Sequence, residues 1–91
     1  MTESSLHLKH ILVQHKYEAE DLQRKLEEGL EFSELAKKFS KCPSAKQGGD
    51  LGVIALSRLV KEFADAAREL KVQEISGVVK TSFGYHLIQR V

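Results

Sequence analysis

Four histidines and one cysteine hold most of the chemical potential of this 91-residue chain. His10 lies inside the run Leu8-Lys9-His10-Ile11-Leu12-Val13, and His86 inside Tyr85-His86-Leu87-Ile88-Gln89. Both runs are made of strand formers with a strong burial preference, and a buried imidazole needs a hydrogen-bond partner. The most economical arrangement pairs the two strands so that the imidazoles bond each other. Such a pair can scaffold a sheet or belong to a site, and on spacing alone the scaffold reading stands above catalysis. The candidate metal ligands His7, His10, His15, His86 and Cys42 show no CxxC, HxxxH or HxH spacing. His7 and His10 have opposite strand parity, so no metal centre is expected. Cys42-Pro43 carries no local signature of a thiol enzyme, and a lone cysteine is commonly a small buried hydrophobe. The run Gly48-Gly49-Asp50-Leu51-Gly52 lacks the spacing of a phosphate loop and precedes a strand. It reads as a turn whose glycines let two backbones approach closely.

The elements that must position these residues follow from hydrophobic period. Residues 6–14 form a strand, apolar on consecutive positions and therefore covered on both faces. Residues 17–28 form a helix with Ala19, Leu22 and Leu26 on one face and the pairs Glu20–Arg24 and Asp21–Lys25 outside. Gly29 is placed to close that helix in a left-handed cap, with Leu30 as a hydrophobic lid. Residues 32–40 form a second helix through Phe32, Leu35, Ala36 and Phe39, ended by Pro43. A short strand covers 51–56, a third helix 59–70 and a short strand piece 77–80. The chain closes with a strand over 84–91, near enough to its predecessor for a hairpin. The order is β-α-α-β-α-β-β.

Bulk composition narrows the class. With 42% hydrophobic and 30% charged residues the chain reads as one soluble globular domain over residues 6–91, with 1–5 as a frayed tail. A formal charge of +1 gives no reason to expect nucleic acid or an anionic membrane as partner. No apolar run reaches a membrane-spanning length. The single cysteine and a polar N-terminus that resembles neither a signal peptide nor a basic arm point to the cytoplasm, with a monomer as the default.

Four segments in register resemble one family. Leu8-Lys9-His10-Ile11-Leu12-Val13 is similar to the first-strand motif of the parvulin peptidyl-prolyl cis–trans isomerases. Phe32-Ser33-Glu34-Leu35-Ala36-Lys37-Lys38-Phe39-Ser40 is similar to their second helix. The stretch from Cys42-Pro43-Ser44 to Gly48-Gly49-Asp50-Leu51-Gly52 resembles their active-site loop and second strand. Val79-Lys80-Thr81-Ser82-Phe83-Gly84-Tyr85-His86-Leu87-Ile88 resembles their closing hairpin. The resemblance implies an α+β fold: a four-stranded antiparallel sheet flanked by about four helices, in the order β-α-α-α-β-α-β-β. The extra helix would be a short turn near residues 44–47. It also implies rotation about X-Pro bonds in peptides and unfolded proteins as a folding aid, with no cofactor and no metal. A catalytically weak peptide-binding chaperone or adaptor is the alternative. Carried over residue by residue, His10 and His86 match the family's paired histidines, and Cys42 the group facing the reacting bond. Thr81 matches a member of the histidine network. Leu51, Leu59, Phe63 and Phe83 match the walls of the proline pocket, and Ser44 and Asp50 the bordering loop. Leu59 stands where the family usually has methionine, and Lys61-Glu62 where it usually has a proline. The segment Gln14-His15-Lys16-Tyr17 is short and holds one lysine, unlike the long basic loop of phosphate-dependent members. No phosphate requirement is expected, and an apolar or neutral residue before proline is.

Overall fold

Strands that are apolar on both faces belong in the middle of a sheet, and the two histidine-bearing segments lie there. In the computed structural model, which describes residues 4–91, β1 (Ser5–Val13) pairs antiparallel with β4 (Gly84–Arg90). The edges are β2 (Asp50–Ala55) beside β1 and β3 (Val79–Thr81) beside β4, giving the order β2-β1-β4-β3. Three α-helices cover the sheet: α1 (Lys16–Glu27), α2 (Phe32–Phe39) and α3 (Lys61–Arg68). Side-chain alternation divides the core in two. Ile11, Val13 and Leu87 face Ala19, Leu22, Phe32, Leu35 and Ala36 of α1 and α2. Leu6, Leu8 and Ile88 face Phe63, Ala64 and Ala67 of α3. The sheet is thus a middle layer.

The expected fourth helix is a 3-10 turn at Pro43–Gln47, and a second such turn spans Leu56–Arg58. The local reason is visible at both ends of the first turn. Ser40 is already extended, with ψ 136°, so α2 stops before Pro43. Pro43 then opens the turn instead of ending the helix, and Gly48 closes it in the left-handed region at φ 70°. The third helix is also shorter than its apolar period suggests, because Leu59 and Val60 are extended and precede it. β1 begins at Ser5, and the Ser4 carbonyl accepts a bond from the Leu56 amide at 2.9 Å. Of the expected tail, residues 1–3 lie outside the described residues.

Two local expectations need correction. Gly29 and Leu30 do close α1, donating to the Leu26 and Lys25 carbonyls at 3.0 and 3.2 Å, but Leu30 is half exposed and belongs to neither core cluster. Arg24 pairs with Asp21 and Glu28, not with Glu20, because a guanidinium fork spans both neighbouring turns. Asp21–Lys25 forms as expected, at 3.4 Å. Gln73 adopts φ 73°, a region that favours glycine, and its amide is held by the Arg90 carbonyl.

Gly49 joins the loop to the central strand. Its carbonyl accepts from the His10 amide at 2.9 Å. Its φ is 80°, and an added Cβ would stand 2.3 Å from the His10 carbonyl oxygen. Gly49→Ala therefore combines left-handed strain with a backbone clash that only a shift of β1 relieves. We expect a loss of about 2–3 kcal/mol, read as a lower urea midpoint at unchanged slope.

Candidate active site

The β1–β4 register sets Leu12 opposite His86 and His10 opposite Ile88, so the two histidines are diagonal neighbours on one face. Their rings stack at 5.4 Å between centroids, with Nδ1 to Nδ1 at 3.2 Å. Both are buried, at 5% and 4% exposure. His86 Nε2 lies 2.7 Å from Thr81 Oγ1, and that hydroxyl accepts the Phe83 amide at 3.1 Å. Proton bookkeeping then selects one arrangement. If the Thr81 hydroxyl donates to His86 Nε2, then His86 Nδ1–H donates to His10 Nδ1, and the last hydrogen resides on His10 Nε2. Only His10 Nε2 is then left without a partner among the groups of this network. The reverse chain strands the Thr81 hydroxyl hydrogen as well.

Burial first, and the neighbouring His86 second, together push the His10 pKa down to about 4. Burial also lowers that of His86. The pair is therefore neutral near pH 7, as two imidazoles in contact require. Phe63, on the first turn of α3, presents its ring edge-on to both, at 5.5 Å from His10 and 5.2 Å from His86.

Cys42 reaches this face through the segment that leaves α2. The Lys41 amide donates to the Leu12 carbonyl at 2.7 Å, and the Leu12 amide donates to Ser40 Oγ at 3.1 Å. Residues 40 and 41 thus lie against β1 almost as a strand would. They set Cys42 beside a cavity of about 460 Å³ that His10, His86, Leu51, Phe63 and Phe83 also line. Phe83 is 64% exposed and forms the open rim.

Six of the ten residues singled out from the sequence thus meet at one cavity, and Thr81 supports them through His86. Three do not. Leu59 and Val60 both pack against the α3-side core, but it is Val60 that also lines the cavity. Ser44 sits within the 3-10 turn, its hydroxyl buried. Asp50 bonds His7 Nε2 and the Gly52 amide, both at 2.8 Å, and so fastens the start of β2 to β1. The Gly52 bond, with His7 and Lys9 beside it, holds the Asp50 carboxyl below the usual carboxylate range. Leu12, Lys41, Pro43, Arg58 and Val60 line the cavity without having been singled out. Leu12 had a signal, since it shares strand parity with His10. The two cations had none.

The model of the family described as "Rotamase: PPIC-type PPIASE domain" matches residues 9–91. The chain is 49% identical over 81 residues to the foldase protein PrsA of a Geobacillus species, an alignment covering 88% of this chain and 29% of that protein. It therefore spans less than a third of the length of the curated relatives it matches. Among solved structures, it is similar to the peptidylprolyl isomerase PrsA of Bacillus anthracis, with a TM-score of 0.95 and 37% identity over 99% of this chain and 42% of that one. It is also similar to NmPin, the parvulin of Nitrosopumilus maritimus, with a TM-score of 0.86 and 42% identity over 97% of this chain and 96% of that one.

Proposed function

This chain belongs to the PPIC-type peptidyl-prolyl isomerase (rotamase) family, the parvulins, and we propose that it catalyses cis–trans rotation about X-Pro bonds in peptides and unfolded protein clients. The observation that carries this reading is the apolar cavity bordered by the neutral histidine pair, Phe63 and Cys42. Rotation must twist an amide through a barrier of about 18–20 kcal/mol without breaking a bond. Cofactor chemistry has no step to perform in it. The planar amide carries more charge separation than the twisted one, so removing it from water favours the twisted form. Leu51, Val60, Phe63 and Phe83 supply a dry grip for the proline ring. Cys42 and the imidazoles border the carbonyl and nitrogen of the turning bond.

Exchange NMR on short X-Pro peptides tests the proposal. Faster cis–trans exchange at substoichiometric protein supports it, and binding without acceleration would instead favour a peptide-holding chaperone or adaptor. Cys42 acts by polarity and shape in this mechanism. Cys42→Ser is expected to keep isomerase activity within about tenfold of the parent, since a hydroxyl retains a polar group of similar size. Complete loss in a folded variant, together with a covalent adduct trapped on the parent, would overturn the non-covalent route.

The foldase and isomerase names of the relatives support proline-containing protein clients as partners. A monomer without nucleic-acid or membrane partners, working in the cytoplasm, completes the proposal. It rests on the near-neutral charge and the lone thiol, and cell fractionation tests the compartment.

A further inference from the structure

Two cations, Lys41 and Arg58, line the cavity, and no acidic residue among the described ones does. Over the whole chain 14 basic residues face 13 acidic ones. Asp21 and Glu28 pair with Arg24, and Asp21 also with Lys25; Asp65 pairs with Lys61 and Arg68 on α3, and Asp50 with His7. Neither Lys41 nor Arg58 has an ion pair among the described residues. Both are exposed. They approach from different segments: Lys41 from the stretch held against Leu12, Arg58 from the 3-10 turn that leads into α3. An otherwise apolar cavity thus carries two exposed cations that no ion pair among the described residues neutralises.

We infer that Lys41 and Arg58 select X-Pro segments in which the residue before proline carries a carboxylate. The inference rests on the isomerase reading. In that reading the proline ring fills the apolar part of the cavity and offers no charge. The preceding residue carries the reacting carbonyl, which Cys42 borders, and Lys41 is the chain neighbour of Cys42. A Glu or Asp at that position therefore brings the first available anion to the cations. This departs from the neutral preference expected from the short, lysine-poor loop after β1. The selecting charges come from elsewhere in the chain.

Peptides identical except for Glu, Gln or Lys before proline test it by exchange NMR. At low ionic strength kcat/KM is expected to be about three- to tenfold higher for Glu than for Gln, with Lys below both, as exposed charge pairs allow. The Glu-to-Gln ratio should fall towards one at about 1 M salt, where the screening length is about 3 Å. It should do the same in a Lys41→Gln, Arg58→Gln double variant, with circular dichroism confirming the fold and each single variant intermediate. Glu no faster than Gln, or a ratio that survives in the double variant, would overturn the inference. A phosphoserine peptide more than tenfold faster than the Glu peptide would assign the cations to phosphate and overturn the carboxylate assignment. If no peptide is accelerated, the isomerase reading fails. Dissociation constants for the same peptides, from chemical-shift titration, then decide the charge preference on their own.

Discussion

Phe63→Ala is expected to remove about 3–5 kcal/mol of stability and nearly all isomerase activity. Phe63 is 3% exposed and belongs to the core cluster with Leu6, Leu8, Ala67, Leu70 and Ile88, so truncation opens a void between α3 and the sheet. The same ring stands edge-on against both histidines, which lose that aromatic lid in the variant. It also lines the cavity, so the grip on proline and the exclusion of water go together. Domains of this kind have roughly 5–15 kcal/mol in all, so the variant is marginal and its activity must be measured where it remains folded. Phe63→Leu separates the roles. It keeps most of the volume and is expected to lose about 1–2 kcal/mol, with activity falling further than stability because a branched aliphatic group cannot present a ring edge. Urea unfolding and exchange NMR on both variants decide the matter. An unchanged midpoint for Phe63→Ala would contradict the packing account.

Acid is expected to begin destabilising the fold above the range in which carboxylates titrate. His10 titrates at about 4 in the folded chain and near ~6.5 when unfolded. Between these values the unfolded chain binds more protons, so stability rises with pH across the window. The contribution is complete above about pH 6.5 and is lost as pH falls towards 4. From His10 it amounts to about 3 kcal/mol, and His86, lowered by burial, acts with the same sign. The bond from Arg24 lowers the Asp21 carboxyl, and the Gly52 amide lowers Asp50. Those groups cost stability only at still lower pH, so the two ranges are distinguishable. Urea midpoints from pH 7.5 to 4 test this. His10→Gln, which cannot titrate, is expected to flatten the profile between pH 6.5 and 4.5. A parent profile that is flat there would show that the pair is not held neutral by burial.

Much of the site was legible before the fold. Ile11-Leu12-Val13 and Leu87-Ile88 are apolar without alternation, which only a strand covered on both sides tolerates, so both histidines had to be central. Two buried imidazoles on neighbouring strands then had little choice but each other. The glycine-rich run was readable as a close approach, and Gly49 makes one against the His10 carbonyl. Leu59 shows where such reading stops. Its spacing from Phe63 fits one helix face, but α3 begins only at Lys61, and an extended residue before a helix obeys a different alternation. Asp50 is similar: its place next to the loop suggested the site, while the strand register gives it to His7 on the opposite face.

The sequence by itself determined the central strands, the helix faces, the histidine pair and the family resemblance. These depend on periods of two and 3.6 residues and on the chemistry of single side chains, all of which are local. The tertiary structure alone decided that Thr81 orders the tautomers, that Val60 replaces Leu59 at the wall, and that Lys41 and Arg58 line the same cavity. Irregular segments have no period to fix where their side chains point. Charges far apart in sequence come to line one cavity only when the sheet and α3 bring their loops together.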